Sequence, residues 1–577
     1  MTSLVLGPLL RHVDQHSASI WVEVDRPARV RVRTDDGPTA EAVTFAAHDH
    51  HYALVCLDGL ESGRRYAYTV DVDDERVWPE SDSTLPPSVV PTLDHTKPLR
   101  LAYGSCRTSV SHDEKGNATH GVDALRAFAL RMAGLTGHVD ASRDPDGDEP
   151  RWPDLVAFLG DQVYADETTE AMRAFIEERR GLDEPPGDEL KDYEEYAHLY
   201  KLAWSDPVNR WLLSTLPSLM IFDDHDIRDD WNTSRAWKDE MEATSWWHDR
   251  IVGGLASYWV YQHLGNMTPA ERDEDPLWQE ITAHSDEPGY DLSERLDAFA
   301  NRADQEPTSY RWSYARDLGT QSRLIVVDSR AARVLDPEDR SILDDDEMAW
   351  LDEQMRGDVD HLIVATSLPF LLAPGLHYVE AFSEALAGGG WGRQLSGLGE
   401  KVRQTVDLEH WAAFQRGFRQ VAEMVLQVAR GERGRPPATI MFLSGDVHHS
   451  YLSSVTPRPE DRPHVRSRIF QAVCSPIRNP LPRRMRFATA ALSYGVAGPL
   501  GHLVARSAKV PDAPFTWRLV EGPWFDNNLA VLEVHGADLR LWWATGEVED
   551  DVDRPLLVRV ADVTVNGQGT AIGRDSS

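Results

Sequence analysis

The chain has 577 residues, a formal net charge of −36 and three cysteines. Its length exceeds the ~250–300 residues at which one hydrophobic core usually stops growing, so we expect at least two domains. The negative charge disfavours nucleic acid and anionic membranes as partners, and three cysteines are too few for a disulfide framework. The first residues lack the basic and apolar regions of a signal peptide, and no apolar run is long enough to span a membrane. The sequence therefore predicts a soluble cytoplasmic protein, or an exported one whose leader was removed.

Residues 1–97 are predicted to form a small all-β sandwich. Four segments in this region alternate apolar and polar residues between turn sequences: 18–24, 28–34, 51–57 and 65–72. Such alternation is typical of strands that bury one face. The proline-rich stretch 83–98 is predicted to be a linker.

From residue 98 onwards the pattern changes to continuous apolar runs, which are typical of strands buried on both faces. Six such runs occupy residues 99–106, 154–161, 218–224, 323–329, 361–367 and 439–446. Two helices are predicted between them, at 194–215 and 240–265. Three later runs are expected to complete a second sheet: 468–474, 529–535 and 539–545. The sequence thus predicts a layered α/β domain over 98–563 and a disordered tail over 564–577.

Polar side chains follow four of the apolar runs directly. They are Cys106 and Arg107, then Asp161 and Tyr164, then Asp223, Asp224, His225 and Asp226, and finally Asp446 and His448. Because sites in α/β domains collect beyond strand ends, we expect these loops to converge. The third loop places three carboxylates and an imidazole together, and these carboxylates would repel one another without a cation. The mixture of hard oxygen donors with imidazole and thiolate favours two unlike metals over one structural zinc.

Three acidic motifs in a fixed order carry a family resemblance. They are GDQVYAD (160–166), FDDHDIRDDWN (222–232) and SGDVHHS (444–450), and they follow a strand that ends in GSCR (104–107). Together they resemble the alkaline phosphatase D (PhoD-like) family of the metallophosphoesterase superfamily. The resemblance spans roughly residues 1–545. It implies a β-sheet sandwich flanked by helices, preceded by a fibronectin-like β domain.

The resemblance also implies metal ligands at two sites. The first, iron-like site would be formed by Cys106, Asp161, Tyr164 and His448. The second, calcium-like site would be formed by oxygen ligands from Asp161, Asp224 and Asp446. The expected cofactors are Fe³⁺ and Ca²⁺, with Zn²⁺ or Mn²⁺ as possible substitutes.

Three more side chains are assigned to the substrate by the same resemblance. His225 would hydrogen-bond the phosphoryl oxygens or the leaving group, whereas Arg107 and Asn232 are candidates to hold the phosphate. The remaining acidic residues of the loop are expected to act indirectly or as solvated charges: Asp226, Asp229 and Asp230.

The expected function is metal-dependent hydrolysis of a small phosphomonoester. A phosphodiesterase that uses the same site is the alternative, and a non-catalytic metal-binding or partner-binding protein on the same fold is a third hypothesis. Asp161, Tyr164, Asp224, His225 and His448 are all present, which argues against the third hypothesis because a site that had lost its activity would be expected to lose a ligand. The acidic inserts 138–150 and 267–306 are expected to reshape the pocket. The basic stretch 480–507, with Arg483, Arg484 and Arg486, is expected either to attract an anionic substrate or to form a solvated helix face.

Overall fold

The structure is a computed structural model. It describes residues 3–137, 152–319, 321–356, 358–387, 409–482, 484–486, 489–490 and 497–565. The insert 138–150, Arg483 and most of the predicted tail (566–577) lie outside the described residues. Within the described ranges, no helix combines the length and the apolar character needed to cross a bilayer.

Two antiparallel sheets form the N-terminal region. Their strands are β1 (Leu4–Val13), β2 (Ser17–Val24), β3 (Arg29–Thr34), β4 (Thr39–Val43), β5 (Phe45–Ala47), β6 (His50–Asp58), β7 (Arg65–Val72), β8 (Glu75–Trp78) and β9 (Val89–Pro91). One sheet has the order β1-β2-β6-β5, and the other has the order β4-β3-β7-β8 with β9 paired to β7. The four predicted strands are confirmed as β2, β3, β6 and β7. Their inward apolar residues, such as Val30, Val55 and Val70, form one buried core.

A six-stranded and a seven-stranded sheet make up the larger α/β region. In spatial order, the first contains β12 (Ser218–Ile221), β11 (Leu155–Leu159), β10 (Arg100–Gly104), β21 (Leu529–His535), β22 (Asp538–Glu547) and β23 (Leu556–Val565). The second contains β14 (Tyr314–Leu318), β15 (Ser322–Val327), β16 (His361–Thr366), β17 (Thr439–Ser444), β19 (Arg468–Val473), β18 (Ser450–Pro457) and β20 (Phe515–Trp524). The six predicted buried strands are confirmed as β10, β11, β12, β15, β16 and β17, and they pair in parallel within their sheets.

The three C-terminal runs do not all enter one sheet, so that prediction is wrong. Strand β19 pairs in parallel with β17, whereas β21 pairs antiparallel with β10 and carries β22 into the other sheet. Strand β23 continues to Val565, so the first two residues of the predicted tail are ordered in a strand.

Helices cover the outer faces of the sheets. They are α1 (Glu114–His120), α2 (Ala124–Met132), α3 (Glu170–Arg179), α4 (Tyr193–Trp204), α5 (Pro207–Thr215), α6 (Arg235–Glu242), α7 (Trp247–Tyr258), α8 (Leu264–Asn266), α9 (Pro269–Glu274), α10 (Pro276–Ala283), α11 (Ser293–Gln305), α12 (Asp345–Gln354), α13 (Pro374–Ala387), α14 (Gln415–Arg430) and α15 (Ala497–Ser507). Short turns of other helix types lie at Trp259–His263 (π), Pro307–Ser309 and Trp411–Ala413 (3₁₀). The insert 267–306 folds as α9, α10, α11 and a short strand, β13 (Tyr290–Asp291), which pairs with β5.

Both predicted long helices are interrupted. The first divides into α4 and α5, because Asp206 caps the second helix through the backbone amides of Val208 and Asn209, and Pro207 occupies its first turn. The second begins only at Trp247, after α6 has ended at Glu242.

Alternate side chains of the parallel strands enter different cores, as the twofold period of a strand requires. Leu324 and Val326 of β15 pack into the core shared by the two central sheets. Ile325 and Val327 face the opposite way and pack with residues of α12 and α14. Strand β15 is therefore covered on both of its faces.

The N-terminal sheets are joined to the α/β region by buried polar contacts. The guanidinium of Arg11 donates to the carbonyl oxygens of Tyr261 (3.0 Å) and Gln262 (2.6 Å) in the π-helical turn. His50 of β6 lies between Glu23 (2.8 Å) and Glu194 of α4 (3.0 Å). The contacts of Arg11 hold the turn from which Gln262 reaches the candidate site.

The His50 bridge predicts a pH-dependent stability. Burial opposes the charged imidazole, but Glu194 and Glu23 outweigh this effect and raise the pKa of His50 to about 9. A raised pKa means that the bridge stabilises the folded state fully below the ordinary value of 6.5 and that this stabilisation is lost as the pH rises through about 9. We expect His50→Gln to lower Tm by about 2 °C at pH 6 and by much less at pH 10, as measured by thermal melts. An equal loss at both pH values would contradict the prediction.

Candidate metal centre

Loops from both central sheets meet at the carboxyl ends of their parallel strands. The backbone amide of Arg107, after β10, donates to the carbonyl of Asp161, after β11, at 3.0 Å. The amide of Asp446, after β17, donates to the hydroxyl of Ser105 at 3.1 Å. The predicted convergence is therefore present for the loops after β10, β11 and β17, which meet around one point.

The first cluster of potential ligands contains a thiol, a carboxylate and an imidazole. The ligand atoms of Cys106, Asp161 and His448 all lie within 4.8 Å of one another. The thiol of Cys106 donates to Asp161 Oδ2 at 3.3 Å, and the hydroxyl of Tyr164 lies 3.5 Å from His448 Nε2. These are the four side chains that the family resemblance assigns to the iron-like site.

Carboxylates form two further clusters around Asp224. In one, the ligand atoms of Asp161, Asp223 and Asp224 lie within 4.8 Å of one another, and in the other those of Asp224, Glu409 and Asp446 do. Asp161 thus belongs both to the thiol-containing cluster and to a carboxylate cluster. Asp224 also groups with His225 and Asp229 at the more exposed side.

The backbone at these positions is unusual. Several non-glycine residues have positive φ angles, and six of them belong to the loops of this site: Cys106 (59°), Asp161 (49°), Asp230 (65°), Asn232 (58°), Asp446 (66°) and His448 (50°). Such conformations cost roughly 1–3 kcal/mol each and collect at functional sites. Gly160 adds a further constraint, since a Cβ at this residue (φ +100°) would lie 2.7 Å from Cβ of Asp223. The loops are therefore shaped to aim side chains at one point.

Arg330 lies at the centre of the carboxylate clusters. Its side chain is fully buried and forms ion pairs with Asp223, with Glu409 and, at 2.9 Å, with Asp224. Its Nη2 atom is 3.9 Å from Oδ1 of Asp446. One guanidinium therefore contacts the carboxylates from three loops, but it offsets only one of their negative charges.

Three carboxylate oxygens at the centre have no hydrogen-bond partner among the described residues, namely Asp161 Oδ1, Asp223 Oδ2 and Asp224 Oδ1, of which the last lies 2.9 Å from Arg330 Nη2 as an ion pair. Burial raises the pKa of Asp161 well above its usual range and the pKa of Asp223 to about 6. Buried polar atoms are rarely left without a partner, and hard oxygen donors are the ligands that Ca²⁺ and Fe³⁺ prefer. The donor set thus fits metal ions.

Asp226 ties two of the loops together. Its Oδ2 atom accepts from the backbone amides of Asp161 and Asp223, both at 2.9 Å, and its Oδ1 atom accepts from Gln262 at 3.2 Å. Both oxygens of Asp226 are therefore engaged in hydrogen bonds, and Oδ2 holds the backbone amides of Asp161 and Asp223.

His225 lies at the open side of the site, packed beside the ring of Tyr164 at 4.7 Å. Its Nδ1 atom is 2.8 Å from Oδ1 of Asp166, whose other oxygen accepts from the amide of Asp229. Burial opposes protonation, but the carboxylate of Asp166 raises the pKa of His225 well above its ordinary value. Asp166 was not assigned a role from the sequence, although it ends the motif that contains Asp161 and Tyr164.

The two predicted phosphate-binding residues differ in their placement. Arg107 is buried, donates to Asp123 through Nε (3.0 Å) and Nη2 (2.8 Å), and donates to the carbonyl of Ala203 at 2.7 Å. Its guanidinium is thus directed away from the carboxylate clusters. Asn232 lies closer, with its amide 3.3 Å from the carbonyl oxygen of Arg330.

Glu409 and its neighbour were missed as candidate residues. Both come from the segment DLEHWAAF (407–414), which is not part of the motifs that predicted the site. His410 Nε2 lies 2.7 Å from Asp446 Oδ2. An acidic residue beside a histidine and a tryptophan is too common a pattern to identify a site without the fold.

None of the arginines that the structure describes in the basic stretch contacts the centre. Arg484 is exposed, and Arg486 donates to the carbonyl of Leu481 at 2.8 Å. The part of the stretch that forms α15 packs beside α13. Its role in attracting substrate stays a prediction.

Comparisons with known proteins show which family the chain belongs to. The family model described as PhoD-like phosphatase matches residues 140–491, which is more than half of the chain, and one described as a domain of unknown function (DUF7800) matches residues 1–90. No curated protein matches the chain. Among solved structures, "Structure of PhoD" aligns with a TM-score of 0.56 and 11% identity over 97% of this chain and 90% of that chain. The type III pullulan hydrolase from Thermococcus kodakarensis aligns at 10% identity over 96% of each chain, but its TM-score of 0.15 carries no weight. The chain therefore belongs to the PhoD-like phosphatase family and is an enzyme of the alkaline phosphatase D type.

Proposed function

We propose that this protein hydrolyses phosphomonoesters with a binuclear metal centre. The observation that carries the proposal is the position of Asp161, which is shared between the cluster containing Cys106 and His448 and the cluster containing Asp223 and Asp224. A carboxylate shared in this way would help to hold both ions. Membership of the PhoD-like family supports the coarser statement that the enzyme is a metal-dependent phosphoesterase.

The proposed ligands divide by chemistry. Cys106, Tyr164 and His448, together with Asp161, would hold an Fe³⁺ ion, because thiolate, phenolate and imidazole suit a redox-active metal. The second site would be formed by oxygen ligands suited to Ca²⁺, from Asp161, Asp224 and Asp446, to which the structure adds Glu409 as a neighbour. When bound, two such ions supply polarisation of a phosphoryl oxygen and a hydroxide nucleophile at neutral pH.

The side chains of the protein position the substrate. The carboxylate of Asp166 accepts from Nδ1–H of His225 and favours the protonated ring, whose Nε2–H can then donate to a phosphoryl oxygen or to the leaving group. Partly exposed residues border the open side, including His225, Asp446 and His448. Asn232 is retained as a candidate phosphate contact. We do not propose Arg107 as a phosphate contact, because its ion pair with Asp123 would have to break before it could bind phosphate.

A paired assay tests the proposed function. We expect the metal-replete protein to hydrolyse p-nitrophenyl phosphate with a higher kcat/KM than bis-p-nitrophenyl phosphate, because a monoester offers more oxygens to the centre. The two substrates share a leaving group, so the ratio reports the ester class. A higher value for the diester would make the protein a phosphodiesterase. Two bound metals without turnover of either ester would contradict a general phosphatase.

Tyr164→Phe tests the identity of the first metal. We expect the wild-type protein to be coloured by a tyrosinate-to-iron charge-transfer band and the variant to lose that band, because Phe has no oxygen ligand. Visible absorbance and elemental analysis check this. Tyr196→Phe is the matched control, since the Tyr196 hydroxyl is equally buried but contacts the carbonyl of Ile227 at 3.4 Å. A colourless wild-type protein containing zinc would contradict the assignment of iron.

A further inference from the structure

A buried chain of three side chains links helix α13 to the candidate metal centre. His410 Nδ1 lies 2.7 Å from Oε1 of Glu380 on α13, and His410 Nε2 lies 2.7 Å from Oδ2 of Asp446. Glu380 is 4% exposed and His410 is 7% exposed. The imidazole therefore spans two carboxylates, one in a helix and one in the loop after β17, with little access to water.

The hydrogen bonds fix how many protons this chain carries. Each of the two short N···O contacts requires one proton between its atoms. One of the two protons is the N–H of the neutral imidazole, and the other is one further proton. The two carboxylates and the ring therefore carry a total charge of −1, wherever each proton resides. The contact therefore offsets one of the two carboxylate charges, and charge-assisted hydrogen bonds of this kind hold their geometry strongly.

The contact also distinguishes the two oxygens of Asp446. Oδ2 is engaged by His410, whereas Oδ1 faces Nη2 of Arg330 at 3.9 Å. Asp446 also groups with Asp224 and Glu409 as a potential metal site. Rotation of the carboxylate would break a 2.7 Å bond, so His410 restricts which oxygen reaches the cluster.

We propose that Glu380 and His410 are positioning residues that reserve one oxygen of Asp446 for the second, all-oxygen metal site and thereby set its affinity for Ca²⁺. This inference rests on the proposed binuclear centre. Partners that orient a metal ligand typically change metal affinity by about 10–100-fold when they are removed. The Cys106 cluster does not include Asp446, so the effect falls on one site only.

Calcium binding to the purified full-length chain tests the inference. We expect His410→Leu to weaken Ca²⁺ binding about 10–100-fold by titration calorimetry, with the iron content unchanged by elemental analysis. The concentration of Ca²⁺ that gives half-maximal activity should rise by the same factor, while kcat at saturating Ca²⁺ recovers. If His410→Leu does not fold, Glu380→Gln provides the test, because it keeps an acceptor for Nδ1 but removes the charge, and we expect a loss of about tenfold.

His377→Leu is the matched control. His377 lies on the same helix and is equally buried, but its ring packs against Phe418 and Trp517. We expect this variant to lose thermal stability without a change in Ca²⁺ affinity. An equal loss of affinity in His377→Leu, or wild-type affinity in His410→Leu and Glu380→Gln, would overturn the inference while leaving the binuclear centre intact. A wild-type protein that binds no Ca²⁺ would overturn the proposed second site and the inference together.

Discussion

Asp161→Asn is expected to lower kcat/KM by more than about 100-fold and to reduce the bound metal to less than two ions per chain. The expected loss exceeds the 10–100-fold typical of residues that only orient a ligand, because Asp161 belongs to two clusters. An amide is a weaker ligand and carries no charge to offset the cations. Paired ester assays and elemental analysis of the same samples check both effects.

Asp229→Asn is the matched control for this prediction. Asp229 lies in the acidic loop and near His225 Nε2 (4.0 Å), but its side chain is 63% exposed. We expect a loss of less than about tenfold, because an exposed carboxylate is well solvated. Equal losses in the two variants, or full metal content in Asp161→Asn, would show that Asp161 is not a bridging ligand.

Much of the fold could be predicted from local sequence patterns, because the burial of a strand is reflected in the order of its own apolar and polar residues. The alternation of apolar and polar residues around Val30 and Val32 predicts a strand that buries one face. The unbroken apolar runs around Val326 and Leu443 predict strands that are buried on both faces. Which sheet a strand joins depends on pairing between distant segments. Strand β21 pairs with β10, more than 400 residues earlier, and no property of residues 529–535 specifies that partner.

Some residues of the candidate site could likewise be predicted from local sequence, and others could not. Side chains in motifs, such as Asp161 and His448, could be predicted because several polar side chains lie within a few residues of a strand end. Glu380 and Glu409 reach the site by tertiary packing, so their sequence neighbourhoods carry no comparable signal. Arg107 shows the opposite case, since it directly follows the proposed ligand Cys106 in sequence yet points towards Asp123.

Arg330→Met is expected to lower the free energy of unfolding by about 3–5 kcal/mol, which is the usual cost of leaving buried charges without their partner. The variant keeps an unbranched side chain of similar length but leaves Asp223, Asp224 and Glu409 without the guanidinium that they share. Added Ca²⁺ should raise the Tm of the variant more than that of the wild type, because a divalent cation offsets the same carboxylates. Urea unfolding and thermal melts with and without Ca²⁺ measure both effects.

Arg295→Met separates this effect from the general loss of an arginine. The side chain of Arg295 is 65% exposed and pairs with Glu280 at 2.9 Å, and an ion pair at such a surface position contributes little to stability. We expect a small loss of stability and no response to Ca²⁺ beyond that of the wild type. If Arg330→Met were no less stable than Arg295→Met, the carboxylates would not depend on the guanidinium for charge compensation. A large loss of stability that Ca²⁺ restores would instead show that the guanidinium and the cation act on one shared set of carboxylates.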